Sequence, residues 1–557
     1  MPNLERSGTI IDVRAGRLLR GTVVVRDGRI ADIVEADVPE RQLILPGFID
    51  AHVHIESSML TPSAFASVAV THGTVATVSD PHEIANVCGV DGVRWMLESA
   101  ATAPMKVCFG APSCVPATVF ETAGAVITAK DIEELLRDPR IGYLSEMMNY
   151  PGVIHRDASV WEKIRVAHAS GKPIDGHAPG VRGEEARAYA AAGIRTDHEC
   201  TTLEEALEKI GLGMKILIRE GSAAKNFDAL HPLISSHPGM VMLCSDDKHP
   251  DALLRGHMNE LVIRAIRCGH AWPDVLRAAC INPVEHYSLP VGTLRVGDAA
   301  DFIVMDSFES STVQETFIDG DCVARSGRAT FTPVAMPPIN TWYDRRIDGR
   351  DLEVPASASA IRVIDVADGQ LLTKESQVQA RVVEGTVRID ADRDILKLVV
   401  VNRYGPAAPA VAFVRNFGLH AGALASSVAH DSHNVIAVGT SDALLARAVN
   451  AVFETRGGCA WVSDTESSVL PLPVAGLMSD GQPRTVARAY EELDGMVKRA
   501  GCVLTSPWMT LSFLALLVIP ALKLSDRGLF DGRTFRFTDV CVRDAETSAA
   551  GAEDAAT

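Results

Sequence analysis

The rhythm of apolar and polar positions changes twice along the chain. The opening residues alternate with the two-residue period of half-buried strands. Thr9-Ile-Ile-Asp-Val13, Thr22-Val-Val-Val-Arg26 and Arg29-Ile-Ala-Asp-Ile33 are predicted strands, and Asp27-Gly28 is a hairpin turn signal. A similar texture returns at Gly292-Thr-Leu-Arg-Val-Gly-Asp-Ala-Ala-Asp-Phe-Ile-Val-Met-Asp306. Between these pieces, short apolar runs begin near Leu43, Val75, Met105, Ile141, Pro173, Ile194, Lys215 and Val241. Helical patterns such as Gly183–Ala192 and Leu203–Gly211 follow them. Eight such units in about 240 residues predict an α/β fold, a (β/α)8 TIM-like barrel. Beyond residue 340 come predicted strands at Arg362–Val366, Leu396–Val401 and Ala410–Val414, with helices at Ala443–Thr455 and Val486–Ala500.

The expected organisation is a small β-sandwich domain split between residues 1–44 and 289–340, enclosing a barrel at 45–288. An additional α+β C-terminal domain covers 341–543, and 544–557 reads as a disordered tail rich in Ala, Glu, Asp and Thr. The apolar stretch from Trp508 to Leu522 contains Thr510, Ser512 and Pro520 and is shorter than the ~20 residues of a membrane-spanning helix, so core packing is expected.

Charge narrows the function classes. Lys and Arg number 53 against 71 Asp and Glu, a formal net charge of −18, which argues against nucleic-acid or anionic-membrane partners. Apolar residues at 47 % and charged residues at 22 % give a globular balance and exclude a disordered chain. The 11 cysteines are scattered without a CxxC pair, and the N-terminus lacks the apolar core of a secretion signal. A cytoplasmic protein with reduced thiols is expected.

The chemistry gathers where the predicted barrel strands end, the face on which barrel enzymes build their sites. Strand one ends Asp50-Ala-His52-Val-His54, and residues two apart on a strand share a face. Strand four ends Leu144-Ser-Glu146, strand five Asp175-Gly-His177, strand six Asp197-His198-Glu199 and strand eight Ser245-Asp246-Asp247. The candidate metal ligands are His52, His54, Glu146, His177, His198 and Asp246, enough for two divalent ions with a carboxylate bridge. Such a donor set without thiolate suits zinc, iron or manganese. Asp247 reads as a supporting or loop residue.

Other motifs fail. His82-Glu83-Ile-Ala-Asn86 has Asn where an HExxH motif needs its second histidine. His54-Ile-Glu56 resembles the HxE of zinc nucleobase deaminases, yet no PCxxC follows. Gly211-Leu-Gly213 has Ile216 in place of the third glycine of a dinucleotide fingerprint, and neither a phosphate-binding Gly-Lys-Ser/Thr loop nor a GxSxG elbow is present.

The HxH strand, the single histidines ending strands five and six, and the aspartate ending strand eight resemble the metal-dependent amidohydrolase superfamily. Gly297-Asp-Ala-Ala-Asp301-Phe-Ile-Val is similar to that superfamily's small sandwich domain. Pro46-Gly-Phe-Ile-Asp-Ala-His-Val-His-Ile-Glu-Ser-Ser-Met59, Asp80-Pro-His-Glu-Ile-Ala-Asn86, Glu146-Met-Met-Asn-Tyr-Pro-Gly-Val153 and Ile218-Arg-Glu-Gly-Ser-Ala-Ala224 resemble the bacterial adenine deaminases. So do His430-Asp-Ser-His-Asn434 and Leu470-Pro-Leu-Pro-Val-Ala-Gly-Leu-Met478, so the likeness spans nearly the whole chain. Members of that family carry a further segment before the equivalent of Thr9, so an incomplete sandwich edge is expected.

The resemblance implies hydrolysis of adenine to hypoxanthine and ammonia in purine salvage, by a metal-activated hydroxide attacking C6. Two divalent ions are implied, Mn2+ or Fe2+ with Zn2+ as the alternative, and Glu146 stands where many superfamily members have a carboxylated lysine. Asp246 is the expected proton carrier for the nucleophile, and Glu83 the first choice as N1 donor. Asp80 and His82 are neighbours orienting the base, and Asp80-Pro81 reads equally as a turn that starts a helix. Arg219 and Glu220 are either an ion pair or base contacts. Ser57 and Ser58 are expected to cap the helix after strand one. His430 and His433 form either a hydrogen-bonded loop or part of the barrel mouth. A homodimer is the prior for assembly. Rivals are another amidohydrolase acting on a cyclic amide or different aminated heterocycle, a non-catalytic amidohydrolase-like scaffold, and redox chemistry at a di-iron centre.

Overall fold

The computed structural model describes residues 4–542. The predicted tail at 544–557 lies outside the described residues. The opening strands Leu4–Asp12, Arg17–Arg26 and Arg29–Glu35 pair antiparallel. Asp27 and Gly28 both take positive φ, 50° and 77°, the backbone that matches a tight hairpin to the twist of its strands. These strands join Leu43–Pro46, Phe302–Met305, Val313–Ile318, Asp321–Arg325 and Arg328–Ala329 in one eight-stranded sheet. Leu4–Asp12 is interior to that sheet, paired with Arg17–Arg26 along its length and with Leu43–Pro46 through Thr9 and Ile10. Ile10, Val23, Ile44, Phe302 and Phe317 form its buried apolar face.

The run predicted to begin near Leu43 is two strands. Leu43–Pro46 pairs with Phe302–Met305, whereas Phe48–Val53 turns into a parallel sheet. Gly47 makes the turn possible, because a Cβ there would come within 2.3 Å of Val75 Cγ1.

Phe48–Val53, Thr74–Ser79, Lys106–Ala111, Ile141–Met147 and Ile174–Gly176 form a five-stranded parallel half-barrel. Thr196–Asp197, Lys215–Arg219 and Val241–Cys244 form a three-stranded parallel sheet. Single bridges, Ile174 to Ile194 and Val53 to Asp246, link the two sheets at both edges. Most of these strand residues are buried on both faces, as parallel sheets covered by helices require. The helices are amphipathic: Leu203–Gly211 buries Ala206 and Lys209 and is capped by Thr202, whose side chain accepts from Glu205 N.

Asp50 ties the first and last parallel strands. It accepts from Ser245 N at 2.9 Å and from the Ser245 hydroxyl, and His257 Nε2 lies 2.8 Å from its second oxygen. The backbone continues the tie, with Asp246 N donating to His52 O at 2.9 Å. His52, His54 and Asp246 are thereby held side by side.

The C-terminal region is mixed α/β, built on a nine-stranded sheet with helices Asp442–Glu454 and Pro483–Arg499. The stretch from Trp508 to Leu522 starts in the helix Pro507–Phe513 and is buried, as core packing predicts. Among the described residues, no helix is long and apolar enough to cross a membrane. All 11 cysteines are free.

Asp50→Ala would leave buried partners unsatisfied at Ser245, which follows the last parallel strand, and at His257, which precedes the helix Met258–Arg267. We expect it to lower the stability of the first unfolding transition by about 3 kcal/mol, read by denaturant titration. A change below about 0.5 kcal/mol would show that this tie is dispensable.

Candidate metal and catalytic site

The polar strand ends converge on two buried carboxylates. Glu146 ends Ile141–Met147 and is 3 % exposed. Its Oε2 lies 2.9 Å from His177 Nδ1 and 3.1 Å from His198 Nε2, while its Oε1 lies 3.3 Å from both His54 Nε2 and His82 Nδ1. Asp246 presents Oδ1 to His54 Nε2 at 3.3 Å and to His52 Nε2 at 3.5 Å, and its Oδ2 accepts from Arg219 Nη1 at 2.7 Å. Asp246 has φ 54°, an uncommon conformation for a residue with a side chain. Six residues expected as ligands are therefore together.

The donor chemistry fits cations. His54 Nδ1 lies 3.2 Å from Asp80 O, a contact that assigns a proton to Nδ1 and turns Nε2 to the cluster. Nε2 faces Glu146, Asp246 and, at 3.2 Å, His52 Nε2; burial opposes charge on this ring, but Asp246 and Glu146 raise its pKa well above the usual value, so a cation must displace the Nε2 proton. Electron-rich atoms so disposed need a proton or a metal ion between them. Sets whose donor atoms all lie within 4.8 Å of one another include His52, His54 and Asp246; His52, Glu146 and His198; His177, His198 and Glu199; His54, Asp80, His82 and Glu146; and His82, Glu83 and Asp431.

Burial alone would raise the pKa of both central carboxylates. The charges of His177 and His198 overcome it at Glu146, and Arg219 with His52 and His54 overcomes it at Asp246, so both stay well below the usual carboxylate range. Burial opposes charge at His198 too, but Glu146 prevails and lifts that imidazole to about 9.

Arg219 is an ion-paired residue, with Nη1 2.5 Å and Nη2 2.9 Å from the two oxygens of Glu199 in addition to Asp246. Glu220 instead meets Arg264 at 3.0 Å. His82 opens the helix His82–Ala100, and its Nδ1 lies 3.1 Å from Asp80 Oδ2. Ser57 and Ser58 do not cap a helix, which corrects the sequence expectation. They sit in the 3-10 turn Ile55–Ser58, and Thr61 precedes the helix Pro62–Ala69. The chain needs this turn to fold Ser57 back, where it donates to Asp247 Oδ1 at 2.5 Å.

The C-terminal region completes the site. His430 Nδ1 lies 2.6 Å from Glu83 Oε1, and His433 Nε2 contacts Glu83 Oε2. Burial works against ionisation of Glu83, yet His430, His82 and His433 hold its pKa well below the usual range. The enclosing cavity is lined by the strand-end residues, by Glu83, His430 and Asp431, and by Met148, Leu371, Phe513, Leu516 and Ile519.

Two contributors escaped assignment from sequence. Glu199 follows His198 directly, and strict strand alternation would point it away from the site. The strand stops at Asp197, so the loop brings both side chains inward. The grip of His430 and His433 on Glu83 joins residues about 350 apart and has no local signal.

Parallel strands ending in this histidine–carboxylate cluster are the architecture of the amidohydrolases, and the amidohydrolase family model matches residues 43–323. The adenine deaminase C-terminal domain model matches residues 370–536. With relatives so similar over nearly its full length, the chain belongs to the adenine deaminase family. The adenine deaminase of Salinibacter ruber is 55 % identical, covering 96 % of this chain and 98 % of that one. Those of Sulfurovum sp. and Borreliella burgdorferi are 52 % and 43 % identical, covering 97 % and 95 % of this chain and 100 % and 98 % of theirs. Among solved structures, an adenosine deaminase from Xanthomonas campestris is similar over 59 % of this chain and 94 % of its own, with a TM-score of 0.43 and 14 % identity.

A proton on His198 must leave before that nitrogen can ligate, so cation affinity should rise with pH up to about 9. Chelator-treated protein titrated with Mn2+ is expected to bind roughly tenfold tighter for each unit of pH rise per proton displaced, between pH 6.5 and 8.5. Affinity independent of pH would place the cation elsewhere.

Proposed function

We infer that the chain hydrolyses adenine to hypoxanthine and ammonia. The observation that carries this reading is the near full-length identity to adenine deaminases, 55 % and 52 % for two of them, which includes the C-terminal region that closes the site. In this reading the parallel strands form one closed (β/α)8 barrel over residues 45–288. Residues 1–44 and 289–340 form the small sandwich domain, and 341–543 the α+β C-terminal domain. The single eight-stranded sheet that joins the strands of residues 4–46 to those of residues 302–329 supports the division. The enzyme is cytoplasmic and homodimeric in the same proposal, supported by its free thiols and by the prevalence of symmetric dimers.

His52, His54, Glu146 and Asp246 would hold one divalent cation, and Glu146, His177 and His198 a second, with Mn2+ or Fe2+ preferred and Zn2+ the alternative. Such ions supply Lewis acidity that brings the pKa of water towards ~7. The remaining work belongs to the side chains. Water adds oxygen to C6, N1 gains a proton, and the amino group leaves as ammonia, so the C6–N bond is exchanged for C6–O. Asp246, held as a carboxylate by Arg219, accepts the proton from the attacking water and returns it to the leaving nitrogen. Glu83 protonates N1, drawing on the proton it shares with His430 Nδ1, and the pair is restored by the proton the C6 hydroxyl loses as C6=O forms and ammonia leaves. Asp80 fixes His54 and His82. Arg219 acts through Asp246 and Glu199.

Adenine should be turned over by metal-loaded protein while cyclic ureides are not. Turnover of a ureide alone would favour another amidohydrolase activity, and no turnover with two ions bound would favour a scaffold. Glu83→Gln should keep two metal ions per chain, by elemental analysis, while kcat falls by about 10²–10⁴-fold. Loss of the ions would reassign Glu83 to the metal site.

A further inference from the structure

A second cavity, about 890 Å3 in volume, lies between the parallel-strand unit and the C-terminal helix Pro483–Arg499. Lys248 lines it and is only 7 % exposed. Among the described residues, the carboxylate nearest its ammonium is that of Glu260, 3.9 Å away and beyond hydrogen-bond reach. A lysine buried to this degree is normally held by a close carboxylate, so the open side of Lys248 is the cavity itself. Lys225 lines the same cavity, is exposed, and makes no ion pair among the described residues. The other charges of the lining are committed. Glu220 meets Arg264 at 3.0 Å, Asp251 meets Arg255 at 2.7 Å, and Asp494 meets Lys498 at 2.6 Å. Glu491 also reaches Arg255, at 3.4 Å, and Arg267 donates to the Glu309 carbonyl. Two ammonium groups are left against one loosely held carboxylate, so the cavity carries uncompensated positive charge in a chain of net charge −18.

This cavity shares a loop with the metal site. Asp246 and Asp247 line the metal cavity, and Lys248 and His249 line this one. The loop is pinned from both sides. Ser57 donates to Asp247 Oδ1, Ser222 N donates to Asp247 O at 2.7 Å, and His249 N donates to Ser222 Oγ at 2.9 Å. A ligand that holds Lys248 therefore acts on the loop that presents Asp246. We propose that the cavity binds a phosphomonoester, with Lys248 and Lys225 on its phosphate, as an effector of that loop. A phosphate dianion matches two ammonium groups. The volume exceeds what a bare ion needs and lies in the range of small-molecule sites, so room is left for the esterified group. Sugar phosphates and nucleoside monophosphates share this chemistry.

The test is calorimetry on the Mn2+-loaded wild type with inosine 5′-monophosphate, which has no amino group to hydrolyse. Ribose 5-phosphate, inorganic phosphate and inosine are the comparisons. At least one ester should bind about tenfold or more tighter than both inosine and inorganic phosphate, and the tighter ester names the source. Lys248→Met and Lys225→Met keep the stems and remove the charges, and each should weaken that binding about tenfold or more. Lys225 is exposed, so its variant decides should Lys248→Met fail to fold. At saturating ester, the adenine KM of the wild type should change by about fivefold or more, and that of Lys225→Met should not. Esters bound no tighter than inosine or inorganic phosphate would overturn the proposal, as would affinity unchanged in Lys225→Met or an adenine KM that ignores the ester. Binding that competes with adenine and survives Lys225→Met belongs to the metal centre and overturns it too. Calorimetry needs no turnover, so failure to hydrolyse adenine defeats the function proposed above and leaves the binding result to judge this site.

Discussion

The buried Glu146 carboxylate is the constraint around which the molecule is arranged. Four imidazoles lie within 3.3 Å of its two oxygens, each delivered by a different strand end or helix start. A charge so far from water is tolerated only when compensated, and compensation here is collective. Removing any contributor exposes the others to the cost of burial. The same arrangement suits the cluster to cations, because its deprotonated donors crowd within 4.8 Å of one another and repel without a positive charge between them.

That centre dictates what surrounds it. Asp50, His257 and Thr74 lie outside the cluster and hold the first, second and last parallel strands in register, so His52, His54 and Asp246 arrive together. Arg219 balances Glu199 and Asp246 at once, in a bidentate geometry that lysine could not supply. The C-terminal region acts on the opposite side. Its histidines orient Glu83, and its apolar helix and loop wall the cavity, so the parallel-strand unit alone would present an open and incomplete site.

The sequence was most legible where periodicity and chemistry coincide. His52 and His54 share a strand face, and Glu146, His177, His198 and Asp246 each end a parallel strand, so one rule of strand geometry found all six. Leu203–Gly211 and Leu396–Val401 agree residue for residue with their predicted bounds. Strand ends and loops were less legible. Leu43–Val53 read as one apolar run because apolar character does not report that Gly47 turns it between two sheets. Ser57 read as a cap because local spacing cannot reveal Asp247, 190 residues away. The His430-Asp-Ser-His433 spacing marked the loop as a hydrogen-bonded turn or part of the barrel mouth, but no local pattern could name Glu83 as its partner.

The central claim is that Glu146 is shared between two cations held by the strand-end histidines. Crystallography of Mn2+-loaded protein at the manganese absorption edge tests it most directly. Two anomalous peaks should flank the Glu146 carboxylate, one beside His52, His54 and Asp246 and the other beside His177 and His198. A single peak, or a second one lodged among His82, Glu83 and Asp431, would contradict the account.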